Sequence, residues 1–295
     1  MIAVIGSVNT DLVVSGQRIP SIGETVTGGT FRMVPGGKGA NQAVAVARLA
    51  RKPGECLFIG KVGRDTFGRD TIRRLKADGI RTQIVFDPVH PTGTALILVD
   101  RKGQNCISVA PGANAKLTPQ DLDPQLRRLQ RAKVLLLQLE TPLETVLAAA
   151  KTASAAGTTV ILNPAPARRL PRELLRLADW LTPNETELAT LTGIDPATPA
   201  QIEQAVAKLK RLGAPRILVT LGAKGVWYDR QIIPAPKAKP LDTVAAGDTF
   251  NGAFAVALSE GQSPLQAIHF AQRAAAIAIT RPGAQDSVPY RRELD

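Results

Sequence analysis

The sequence predicts an α/β fold: a central, mostly parallel sheet flanked by helices, with a small antiparallel β-sheet forming a lid. Three observations carry this. Short, wholly apolar runs alternate with helix-period segments almost from end to end, the pattern of strands buried on both faces between helices. Two stretches, residues 10–35 and 92–109, break that pattern; they are rich in Thr, Val and Gly and alternate in strand fashion. The 295 residues, 44% of them apolar and 21% charged, suffice for a sizeable core, and no linker or repeat divides them. A single domain over 1–295 follows, with a lid made from the two interleaved stretches.

Taken in order, the chain opens on a buried strand at residues 2–5. It begins too early for the basic region, apolar segment and cleavage site of a secretory signal, so a cytoplasmic location is expected. The first odd stretch follows, with a turn at Ser15-Gly16. Helix period then appears at 41–49 and 67–77, on either side of an apolar run at 57–60. The second odd stretch turns at Arg101-Lys102-Gly103-Gln104. Strand-like runs at 134–137, 159–162 and 216–220 alternate with helical patterns at 143–156 and 202–212. Two consecutive helices, 245–259 and 264–280, close the chain. Two ordinary hairpins on the sheet edge would share the composition of a lid, and composition does not separate the two.

Several chemistries lack the residues they need. No apolar run approaches the ~20 residues of a membrane helix, neither the leucine run at 135–137 nor the longer run at 274–279. Cys56 and Cys106, each in an apolar strand-like run, form neither a disulfide framework nor a zinc pattern. Core packing in a reducing compartment is the role expected of both. His90 and His269 are the only histidines, too few for a His–Asp relay or a His-based zinc site. The net charge of +12 raises nucleic acid as a partner, but the basic residues are dispersed and aromatics make up only 4%. No nucleic-acid partner is therefore expected. The phosphate loop G-x-x-x-x-G-K-[ST] is absent, and Gly37-Lys38-Gly39 fails as a dinucleotide fingerprint because position 42 is Gln.

Three constellations remain. In Asp242–Gly252, small residues and glycine stand where a loop becomes a helix, so unpaired N–H groups and the helix dipole can hold an anion. Gly247 allows close approach, and Asp248 places a carboxylate where it could take a proton from an attacking hydroxyl. Alone, the stretch reads equally well with Asp248 as a helix cap. Pro35–Ala43 is a second glycine-rich turn entering a helix, with Lys38 and Asn41 as donors for hydroxyl or phosphate oxygens. Asn9, Asp11, Glu140, Asn184 and Glu187 gather at strand ends, where open parallel sheets bind ligands.

These residues resemble the ribokinase family of carbohydrate kinases over nearly the whole chain. The likeness lies in Gly6–Asp11, Gly36–Gln42, Gln138–Glu140, Asn163–Ala167, Pro183–Glu187, Thr220–Gly225, Asp242–Gly252 and Thr280–Gln285. It implies ATP-dependent phosphorylation of D-ribose at O5. By the same resemblance Asn9, Asp11, Gly37, Lys38, Gly39, Asn41 and Glu140 would bind the sugar. Asn184, Thr220, Gly222, Gly225, Gly247 and Gln272 would line the ATP site. Asp248 would be the general base, with Ala245, Ala246 and Gly247 forming the anion hole. Glu187 would hold Mg²⁺ through water, and Asp242, Val244, Ala278, Arg281, Gly283 and Ser287 would enclose K⁺. A homodimer joined through the lids is also implied. Rival readings are a kinase of 2-deoxyribose, fructose or adenosine on the same fold, or a non-catalytic sugar sensor.

Overall fold

A computed structural model describes residues 1–294. Strands β1 (Ile2–Ile5), β2 (Asn9–Ser15) and β3 (Thr30–Gly36) precede helix α1 (Lys38–Leu49). Strand β4 (Cys56–Gly63) and helix α2 (Thr66–Ala77) lead to β5 (Arg81–Asp87), β6 (Gly93–Val99) and β7 (Asn105–Ala110). After the short α3 (Leu126–Leu129) come β8 (Val134–Leu137), α4 (Leu143–Ala155), β9 (Thr159–Leu162), α5 (Arg172–Leu177) and β10 (Trp180–Leu181). Helices α6 (Glu185–Thr192) and α7 (Pro199–Leu212) follow, then β11 (Val219–Thr220), β12 (Val226–Tyr228) and β13 (Gln231–Ile233). The last helices are α8 (Ala246–Ser259) and α9 (Pro264–Ala278).

Six strands form one sheet in the order β10-β9-β8-β1-β4-β5, with every pair parallel. Its apolar runs serve two cores at once. Ile2 and Val4 of β1 face one layer with Phe58, Leu136, Val44 of α1 and Phe254 of α8. Ala3 and Ile5 face the other, with Leu57, Leu135, Val146 of α4 and Leu209 of α7. Each buried Ile, Val, Leu or Phe stabilises the fold by ~1.5–3 kcal/mol. From β1 the order runs outward to β5, then reverses at β8 on the other side of β1. The crevice beyond the carboxyl ends of β1 and β8 is thus the switch point where such sheets admit ligands.

The two odd stretches form one four-stranded sheet, β3-β2-β6-β7, rather than separate hairpins. Its outer pairs are antiparallel, as expected, but β2 and β6 pair in parallel from Asn9 opposite Gly93 to Ser15 opposite Val99. Both strands leave the body at the same end, β2 just after β1 and β6 just after β5, so they run the same way. Residues 216–220 behave less simply than one strand of the main sheet. They touch it through the bridges Leu181–Ile217 and Asn184–Thr220, then join the antiparallel sheet β11-β12-β13. The expectation for the cysteines is half corrected. Cys56 is buried, whereas Cys106 is exposed, because β7 is the lid's edge strand and all its residues face solvent. No helix among the described residues is long and apolar enough to cross a membrane.

Candidate active site

The site is built around the start of α8. Its N-cap, Ala245, takes a left-handed conformation with φ 57°. For a residue with a Cβ that costs ~1–2 kcal/mol, and strain of this kind gathers at functional sites. The Ala246 N–H reaches the Thr243 carbonyl at 3.3 Å, while those of Gly247 and Asp248 meet no acceptor among the described residues. A Cβ on Gly247 would meet nothing within 4 Å, so the space before these amides is open. Asp248 is buried but caps nothing: α8 has no side-chain cap. Its carboxylate accepts from Asn41 Nδ2 at 3.0 Å and Gln42 Nε2 at 2.9 Å. Burial raises its pKa; Lys38 and the two amide donors oppose that rise, and the Glu140 charge adds to it.

Helix α1 delivers those donors because α1 and α8 pack closely at Gly252, where a Cβ would stand 2.4 Å from that of Ala45. The turn into α1 is equally tight. Gly37 has φ 89°, and a Cβ there would fall 2.7 Å from the Asn9 amide nitrogen. Across the switch point, the Lys38 N–H donates to Glu140 Oε2 at 2.9 Å. The Ser7 hydroxyl bonds the same oxygen and accepts from the Gly39 N–H at 3.2 Å. Asp11 covers Gly36, whose added Cβ would lie 2.5 Å from Asp11 Oδ2. Burial, then the Glu140 charge, pushes the Asp11 carboxyl up to about 6. Burial works to lower the Lys38 ammonium, but Asp248, Glu140 and Glu187 outweigh it and the net shift is upward. Lys38 is therefore a fixed cation among three carboxylates.

On the far side of α8, Asn184 and Glu187 begin α6 as a reciprocal capping box: Glu187 N–H to Asn184 Oδ1 at 2.8 Å, Asn184 N–H to Glu187 Oε2 at 2.9 Å. Burial raises the Glu187 pKa, opposed by the Asn184 N–H and Lys38. Among the described residues no three His, Cys, Asp or Glu side chains cluster to cage a metal. The Glu187 carboxylate, which accepts from the Asn184 N–H and Nδ2, is the group here that could hold a hydrated Mg²⁺. Thr220 donates its N–H to Pro183, next to Asn184. Gly222 and Gly225 turn the chain into β12 with φ 55° and 110°. A Cβ on Gly225 would stand 2.1 Å from the Ile233 carbonyl. Gln272 Nε2 donates to that carbonyl at 2.9 Å, while its Oε1 is buried without a partner among the described residues.

Behind the α8 turn, Asp242 joins two segments. Its Oδ1 accepts from Val244 N–H at 3.0 Å and its Oδ2 from Gly283 N–H at 2.9 Å. Ala278 and Arg281 are linked by a backbone bond of 3.0 Å, and Ser287 is buried just beyond. A carboxylate among backbone carbonyls is a donor set suited to a large monovalent cation. The Arg281 side chain itself pairs with Glu293 and points out of this group.

Sequence reasoning gave no role to several residues that hold the site. Gln42 donates to Asn163 Oδ1 at 3.1 Å as well as to Asp248, and accepts from Gln138 at 2.5 Å. Gln285 donates to Asn41 Oδ1 at 3.2 Å. Asn114 clamps Val8 and donates to Asn9 Oδ1 at 2.8 Å. Ser7, Gln42, Gln138 and Asn163 stood in recognisable motifs; Asn114 carried no sequence signal.

Known proteins match this architecture throughout. The model of the pfkB family of carbohydrate kinases matches residues 1–291. A ribokinase of Haemophilus influenzae is 42% identical over 297 residues, 99% of this chain and 96% of that one. A deoxyribokinase of Salmonella typhi is 40% identical over 294 residues, covering 98% and 95%. The structure of Arabidopsis thaliana ribokinase complexed with ribose and ATP superposes with a TM-score of 0.92 at 38% identity, covering 99% of this chain and 96% of that one. A match of this extent, on a fold whose switch point carries the buried Asp248 and its anion-ready turn, leaves one assignment: the chain belongs to the pfkB family of carbohydrate kinases.

Proposed function

We propose that the protein transfers the γ-phosphoryl group of ATP to O5 of D-ribose, giving D-ribose 5-phosphate and ADP. The observation that carries this is Asp248: a buried carboxylate, aimed by Asn41 and Gln42, in the same turn as two amides that meet no acceptor among the described residues. Asp248 takes the proton of the 5-hydroxyl as that oxygen attacks the γ-phosphorus and the bond to the β-phosphate oxygen breaks. The Gly247 and Asp248 N–H groups and the Lys38 ammonium face the charge that develops on the phosphoryl oxygens. The Ala246 N–H, also expected in the anion hole, stays with Thr243 at 3.3 Å.

Asn9, Asp11, Gly37, Gly39, Asn41 and Glu140 read the sugar hydroxyls. Asn184, Thr220, Gly222, Gly225 and Gln272 border the nucleotide. Mg²⁺, bound with ATP near Glu187, screens the phosphate charge. Asp242, Val244, Ala278, Arg281, Gly283 and Ser287 would hold K⁺, whose charge would stiffen the α8 turn. The lid covers the sugar, excluding water that would otherwise accept the phosphoryl group. A site crowded with hydroxyl partners rejects a sugar lacking one, because its buried polar groups go unpaired; the choice of ribose over 2-deoxyribose rests on this.

The experiment is Asp248→Asn, which keeps the shape and loses the proton acceptor. General-base catalysis is worth ~10²–10⁴ in rate, so kcat falls by at least that range while the fold survives. A near-normal kcat would remove Asp248 from the chemistry.

A further inference from the structure

The net charge of +12 is not absorbed by the site above, where Lys38 stands among carboxylates. Part of it collects at the opposite end of the sheet. A cavity of about 600 Å³ opens there beside the amino ends of β4 and β5. Leu57 and Ile80 supply apolar wall, and Lys76, Arg81, Arg128 and Arg131 bring four cations to it. Neither a carboxylate nor an aromatic ring lines it. All four cations belong to exposed residues, so solvent reaches the charged wall of the cavity. None of these four forms an ion pair among the described residues.

Helix ends account for two of the four cations. Lys76 lies in the last turn of α2 and Arg128 in that of α3, positions a helix dipole favours. Four exposed cations around one cavity add up to a positive field that draws an anion toward it. Arg128 is held without being neutralised. Its Nη1 donates to Gln125 Oε1 at 2.7 Å, and Gln125 Nε2 donates to Gln83 Oε1 at 3.0 Å. The other guanidinium donors keep their charge for a ligand.

The chemistry of that ligand follows from the lining. Guanidinium forks match phosphate oxygens in pairs, and Lys76 adds a point charge. The volume lies within the ~300–1,000 Å³ of small-molecule sites, while the absence of rings gives a base nothing to stack on. We propose that this cavity binds a compact anion carrying two phosphate groups, either free diphosphate or a sugar bisphosphate. It is separated from the candidate active site by the length of the sheet.

The test fills the active site first, with ribose and a non-hydrolysable ATP analogue in excess magnesium. Isothermal titration calorimetry then follows sodium pyrophosphate in one arm and fructose 1,6-bisphosphate in the other, each against a protein-free blank. One equivalent of anion binds, more weakly as salt rises, and the tighter arm identifies the source. Arg128→Gln/Arg131→Gln weakens binding roughly tenfold or more, since each charged hydrogen bond is worth ~1.5–3 kcal/mol. Tm and the KM for ATP stay unchanged in that variant. Lys102→Gln, an exposed cation on the lid turn, leaves binding intact. No binding in either arm, or equal binding by wild type and the double variant, overturns the proposal.

Discussion

At the scale of single residues, Asp248 shows what one stretch of sequence can and cannot say. Its tetrapeptide reads equally well as a cap and as a base; the donors that settle its orientation, Asn41 and Gln42, lie 207 and 206 residues away. Asp11 carries the pH dependence. Its carboxyl is pushed up to about 6 by burial and by Glu140, so it is neutral below that pH and charged above it. As a charged acceptor for a ribose hydroxyl it acts only above about 6. The kcat/KM for ribose therefore declines as pH falls through that value, while the KM for ATP stays level. Asp11→Asn removes the part of this limb set near 6, leaving that of the raised Asp248 carboxyl, and raises the ribose KM, the lost charged bond being worth ~1.5–3 kcal/mol. Initial rates over pH 5–8 at varied ribose check both; an unchanged limb in the variant would assign it to another group.

Elements were more legible than their junctions. The apolar runs at β1, β8 and β9 fell where expected because such strands are buried on both faces, the half-buried Thr159 at the start of β9 being the one polar residue among them. The helices were located by their apolar stripes, and α2, α4, α8 and α9 start within a residue of expectation, but α1 and α7 begin about a turn earlier. Helix α7 starts at Pro199 behind a Thr198 cap, ahead of its apolar stripe. The parallel β2–β6 pair was illegible because its partners come from two separate stretches that only the body of the fold brings side by side, and the sheet β11-β12-β13 because its strands carry too few residues to fix register or partner. At this scale the α8 turn and the loop after α9 are one unit, tied through Asp242 to Val244 and Gly283. With K⁺ held there, KCl raises initial rates above NaCl, choline chloride keeping ionic strength constant. Asp242→Ala loses most of that response. Equal rates in all three salts would leave these residues a packing role alone.

Across the whole molecule, the parallel sheet places the sugar, the nucleotide and the α8 turn around one crevice, and the lid leaves an unpaired apolar face. Phe31, Met33 and Leu96 stand 59%, 56% and 55% exposed. They share one side of the lid, since β3 and β6 each set them in register with Leu12 and Val14 of β2. A second copy meeting this face buries side chains worth ~1.5–3 kcal/mol each. Sedimentation accordingly gives a dimer for the wild type, and Leu96→Arg raises the dissociation constant by roughly tenfold or more; a wild-type monomer at every concentration would exclude the lid interface. On the proposed reading the activity belongs to the assembled crevice, where a sugar with fewer hydroxyls would leave Asp11, Asn41 or Glu140 short of a partner. The decisive measurement is coupled ADP release with ribose, 2-deoxyribose, fructose and adenosine as acceptors under identical conditions. Ribose should give the highest kcat/KM, exceeding 2-deoxyribose by roughly tenfold or more, the value of one unpaired buried hydrogen-bonding group. Faster release with another acceptor, or none above the acceptor-free rate with ribose, would contradict the account.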